Sequence, residues 1–71
     1  MSKLKYPKNE IVCTSYYDIA HKLKYIVTTK AYSSDLYFLY ESVDDEFKKL
    51  GKAKTPTELE IKFDIENKIK N

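Results

Sequence analysis

The stretch Asp35-Leu36-Tyr37-Phe38-Leu39-Tyr40-Glu41-Ser42-Val43 is the one long run of large apolar and aromatic side chains in the sequence. Residues of this kind fit a pleated, half-buried surface. Side chains alternate along a strand, so Leu36, Phe38 and Tyr40 fall on one side, with Tyr37, Leu39 and Val43 on the other. Both sides carry bulk. That marks a middle strand, covered on one face by helix and on the other by helix or a partner.

A chain of 71 residues has room for one domain with a modest core. So short a chain buries only roughly 60% of its unfolded surface, and domains of this size are commonly stapled. Here the staples are missing. One cysteine, Cys13, and one histidine, His21, allow neither an internal disulfide nor a Cys/His zinc site of four protein ligands. Cys13 reads as a small buried hydrophobe, and a lone thiol fits a reducing compartment. No run approaches the ~20 apolar residues of a membrane span. Residues 1–8 are basic but lack the apolar core of a signal peptide. The expectation is a cytoplasmic protein with no membrane partner.

The remaining segments are read by period and by local signals. Residues 1–9 read as a flexible N-terminal arm interrupted by Pro7, and residues 10–71 as a single small domain. Ile11, Val12 and Cys13 form a short apolar patch, either an edge strand or the chain entering the core. Tyr16, Ile19, Ala20, Leu23 and Val27 follow helical spacing, and Ser15 with Asp18 has the form of a capping box; the spacing predicts a helix over 15–24. Tyr25-Ile26-Val27-Thr28-Thr29 is dense in β-branched side chains and predicts a strand over 25–30. Asp44-Asp45-Glu46 is an acidic turn, leading to a third strand over 47–54 in which Gly51, the single glycine, marks a bend or bulge.

At the C-terminus two periods compete. Thr55-Pro56-Thr57-Glu58 is a helix start, with Thr as cap, Pro at the first position and Glu three residues after the cap. Leu59, Ile61, Phe63 and Ile65 nevertheless alternate with polar residues in the manner of a half-buried strand. The helix is preferred because cap, proline and acid-before-base pairs at i,i+4 agree. The expected fold class is α+β: a three-stranded antiparallel meander with two helices on one face, in the order α-β-β-β-α.

Few constellations could carry chemistry. A nucleophile needs a base held by a third group, and His21 is the sole histidine. A single glycine excludes glycine-rich phosphate loops. The chain is short for a pocket built around paired carboxylates. No enzyme, cofactor or metal site is expected, and Asp44, Asp45 and Glu46 do not match a calcium-loop spacing.

The net charge is +2, from 13 basic and 11 acidic residues, and every basic residue is lysine. The absence of arginine removes the planar fork used for bidentate base reading. Lys48, Lys49, Lys52 and Lys54 cluster before the last helix and offer an alternative function, nucleic-acid binding through backbone contacts without sequence preference. The expected element order, with Gly51-Lys52-Ala53-Lys54-Thr55 entering the final helix, resembles a double-stranded RNA-binding domain. That family places a lysine pair at the helix start, where this chain has Thr55-Pro56-Thr57-Glu58, so membership is not inferred.

Seven tyrosines exceed what a small core hides. Tyrosine combines contact area, little rotamer freedom and a polar tip, which suits interfaces. The first expectation for function is therefore a small non-enzymatic module that binds another protein or itself through the uncovered sheet face. Tyr32, Tyr37, Leu39 and Tyr40 would be central, with Asp44, Asp45 and Glu46 at the rim. An inhibitor or regulator of a host protein, encoded by a phage or mobile element, fits the size and the lysine-, tyrosine- and isoleucine-rich composition.

Overall fold

The computed structural model describes residues 6–30 and 32–70. Within them the chain forms β1 (Glu10–Tyr17), β2 (Leu23–Lys30), β3 (Ser33–Val43), β4 (Glu46–Ala53), α1 (Pro56–Lys62) and α2 (Ile65–Lys70). The strands make one antiparallel sheet in the order β1-β2-β3-β4. The fold is α+β, but the expected three-stranded α-β-β-β-α arrangement is corrected to a four-stranded meander followed by both helices. The resemblance to a double-stranded RNA-binding domain falls with it, because that order needs a helix before the sheet. Of the expected arm, residues 1–5 lie outside the described residues.

The predicted helix over 15–24 is instead the end of β1, a turn and the start of β2. Two local causes decide this. Tyr16 and Tyr17 favour a pleated surface. The Asp18 carboxylate, expected to cap a helix, accepts hydrogen bonds from the backbone N–H of Ala20 at 2.9 Å and Lys22 at 3.0 Å. An aspartate that closes on its own backbone makes a turn and competes with helix. His21 completes the corner with φ 63°, and the Asp18 N–H donates to the Lys22 carbonyl at 2.9 Å.

The end of the chain is helical, as the cap signals predict. Thr55 Oγ1 accepts from the Glu58 N–H at 3.2 Å, and Pro56 opens the helix. The competing alternation is explained by a break: Asp64, with φ 51°, separates α1 from α2. Leu59 and Phe63 then face the sheet from one helical turn, and Ile65 and Ile69 from the next. Ile61 is left outside, 75% exposed.

Two clusters lie on opposite faces of the sheet. Beneath the helices Tyr25, Val27, Leu39, Ala53, Leu59 and Ile65 are buried, with Tyr16, Tyr37, Leu50, Phe63 and Ile69 packed around them. The other face holds Ile26, Phe38 and Tyr40, ringed by Val12, Leu23, Leu36 and Phe47. No helix covers this second face among the described residues. Its centre is closed instead by that ring of side chains, by Tyr6 at 5.0 Å from the Phe47 ring, and by Lys49, whose Nζ lies 4.5 Å from the Phe38 ring centre. A lysine stem that covers apolar surface while its ammonium stays wet is a common solution. Gly51 lies beside a register shift in β4, as a bulge glycine would, and a Cβ there would stand 2.6 Å from the Phe63 ring.

Candidate functional site

The sheet has two rims, and they differ. A rim strand presents unpaired N–H and C=O groups to any passing strand, so charged residues, bulges or covering elements commonly protect it. On β4 the guards are Lys48, Lys49 and Lys52, all exposed, with a bulge between them and α1 packed behind. On β1 no lysine, aspartate or glutamate occurs from Ile11 to Tyr17. Ile11 and Tyr17 are each 54% exposed, and Cys13 is also exposed, which corrects its expected place in the core.

The single charged side chain of β1 is turned inward. Glu10 accepts from the Thr28 hydroxyl at 2.5 Å and from the Tyr40 hydroxyl at 3.0 Å and 3.1 Å. Thr28 is fully buried, so this carboxylate satisfies a hydroxyl that water does not reach. Burial first, then the bond to Glu10 and its negative charge, pushes the Tyr40 hydroxyl up to about 12. At the other end of β1 the Tyr16 hydroxyl donates to Glu60 Oε2 at 2.5 Å, tying the strand to α1. Burial, with that carboxylate, raises the Tyr16 pKa as well. Asp18 is held below the usual carboxylate range, chiefly by the Lys22 N–H.

The residues expected to meet a partner are dispersed. Leu39 is fully buried beneath the helices, and Tyr40 is 7% exposed on the opposite face; neither offers surface. Tyr37 is half-buried against the helix-side core. Tyr32 is 96% exposed at the corner joining β2 to β3, where it lines a groove with Lys8, Asn9, Glu10 and Lys30. Asp44 and Asp45 form the two-residue turn from β3 to β4 with φ 50° and 66°, and Glu46 is exposed beside them. This geometry is that of a tight hairpin corner. Among the described residues no three His, Cys, Asp or Glu side chains converge on a point that could hold a metal ion.

The lysines do not share one face. Lys49 stands opposite Tyr40 and Lys52 opposite Phe38, whereas Lys48 stands opposite Glu41, on the helix side. Lys54 follows the strand and is exposed. Sequence reading offered Ile11, Val12 and Cys13 as a possible edge strand and missed that β1 runs on to Tyr17. The signal was present in Ile11-Val12-Cys13-Thr14-Ser15-Tyr16-Tyr17, an uncharged run rich in β-branched and aromatic residues, but the helical spacing that begins at Tyr16 masked its second half.

Comparison with protein families, curated proteins and solved structures finds no match to this chain. No helix among the described residues is long and apolar enough to cross a membrane.

Proposed function

We propose that this protein is a small binding module that works by strand addition: an extended polypeptide pairs with the open rim of β1. One observation carries the reading. Of two rims on one sheet, β4 is guarded by lysines, and β1 shows no charge from Ile11 to Tyr17 while two of its large side chains stand half in water. Main-chain hydrogen bonds to such a rim supply affinity, and side chains on alternate sides supply selectivity. The sheet face itself is less suited than the sequence suggests, because Leu39 and Tyr40 are already covered.

The test is differential capture from a cell extract of the source organism, with the protein, its Ser15→Lys form and its Lys52→Ser form immobilised in parallel. Ser15 is exposed at the rim, so a lysine there blocks pairing without entering the core. Proteins retained by the first and third baits and lost from the second are expected. A retained set indifferent to Ser15→Lys, copies of the chain included, overturns the reading. The lysine alternative has less support, since Lys48, Lys49 and Lys52 are split between two faces and Lys49 already lies over the Phe38 ring.

A further inference from the structure

The helix pair is sorted by charge. Lys62 and Lys68 turn toward Phe63, with their Nζ atoms 5.8 Å and 5.9 Å from its ring centre. Glu60 in α1 and Glu66 in α2 each stand two residues before one of these lysines, about 200° away around the helix axis. They turn toward β1. Between this acidic side and the rim strand lies a notch of about 180 Å³, lined by Tyr16, Glu60, Ile65, Glu66 and Ile69. Its body is apolar. Ile65 is buried, Tyr16 and Ile69 are half-buried, and all three belong to the cluster beneath the helices. Glu60 and Glu66 are exposed at its mouth.

Size and lining select an occupant. The volume falls below the roughly 300–1,000 Å³ of a pocket that buries a small molecule and suits one long side chain. Among the described residues no lysine lines the notch, although the chain as a whole is net positive. The complementary group is a cation on an apolar stem, which is the form of lysine and arginine. The stem fits along Ile65, Ile69 and the Tyr16 ring, and the head reaches the two carboxylates. The Tyr16 hydroxyl uses Oε2 of Glu60, and a carboxylate accepts several hydrogen bonds. Arginine suits the place best, because its planar fork pairs with carboxylates and stacks on rings.

We infer that this notch is a subsite for a basic side chain, arginine or lysine, of the polypeptide that pairs with β1. The Tyr16 side chain lies on the helix face, where its hydroxyl meets Glu60. In an added strand the residue opposite Tyr16 shares that face, with its Cβ about 4.5–5.5 Å away. That residue, or its neighbour two positions on, is placed to enter the notch. The rim adds no competing charge, since none occurs from Ile11 to Tyr17. Main-chain pairing then supplies affinity, and the notch names the side chain that is read.

This inference rests on the strand-addition reading and can fail separately from it. The probes are short end-blocked peptides of alternating threonine and valine with arginine, norleucine or glutamate at the centre. Each is titrated into the isotope-labelled protein and followed by NMR. The arginine peptide is expected to bind about tenfold or more tightly than the norleucine one, with glutamate weakest. The largest shifts should fall at Tyr16, Ile65 and Ile69. General charge attraction opposes this order, because the chain is net +2. Glu60→Gln combined with Glu66→Gln keeps an acceptor for the Tyr16 hydroxyl and should erase the arginine preference, whereas Lys62→Gln should keep it. A preference that survives the double variant, or no binding of any peptide at millimolar concentration, overturns the subsite. Arginine and norleucine peptides that bind alike also overturn it, and if Ser15→Lys abolishes that binding, strand addition stands alone. An arginine preference indifferent to Ser15→Lys keeps the subsite and removes strand pairing.

Discussion

The two rims of this sheet occupy equivalent places and are held by different means. β4 runs directly into α1 through Thr55, and Leu59 and Phe63 pack back over the sheet, with Phe63 seated above Gly51. β1 is fastened at its two ends by side-chain bonds, Glu10 to Thr28 and Tyr40, and Tyr16 to Glu60. The difference teaches that a sheet too small to be covered on both faces can concentrate apolar burial toward one rim and leave the other to a few polar ties. The covered rim is also the charged one. Among the described residues no further strand pairs with the polar-tied rim.

The comparison breaks first at Leu59. This side chain is fully buried between α1 and the sheet, and Leu59→Ala should cost about 2–5 kcal/mol. A small domain has only about 5–15 kcal/mol in total, so urea melting should show most of its stability lost. A midpoint close to that of the unaltered protein would mean that the helices contribute little to the fold. The next effect is at the other rim. Glu10→Ala leaves the buried Thr28 hydroxyl without its acceptor, at a cost of about 1–3 kcal/mol. Amide exchange should locate the loss, with β1 opening well before β3; uniform opening would deny that β1 is separately tied.

The smallest effect concerns pH. The Tyr40 hydroxyl holds its proton to about 12 in the folded protein, above the ordinary 10.0. A raised pKa means that the folded state favours the protonated form, so this contribution is complete below pH 10 and is lost as pH rises through about 12. Chemical denaturation between those values should therefore show a falling stability whose slope is reduced in Tyr40→Phe. Tyr16 shifts in the same direction and leaves a residual slope. Equal slopes for the two proteins would exclude the Tyr40–Glu10 bond as a source of the pH dependence.

Much of the middle and end of the chain is legible from residues alone. β-branched density at Tyr25–Thr29, alternating bulk at residues 36–40 and the Thr55-Pro56-Thr57-Glu58 cap each act over a few neighbours, and each was placed. The start of the chain was not, because its decisive interactions are conditional. Helical spacing at Tyr16, Ile19, Ala20 and Leu23 is a pattern of positions, whereas the Asp18 turn depends on which backbone groups its carboxylate meets. The candidate site was harder still. Tyr40 and Leu39 read as contact residues by type, but their burial depends on a fourth strand and on Glu10, thirty positions earlier than Tyr40. The open character of β1 becomes visible only once strand order makes it a rim.

The corners of the meander have a further consequence. Among the described residues Asn9, His21, Asp44, Asp45 and Asp64 all take positive φ, and none is glycine. Left-handed backbone costs an L-residue roughly 1–2 kcal/mol, less for Asn and Asp, whose short side chains bond locally. The protein thus carries torsional tension at its bends while its single glycine serves as a socket for Phe63. Tolerance to heat has room to rise at those bends without disturbing either margin of the sheet, a reserve open to drift or to design.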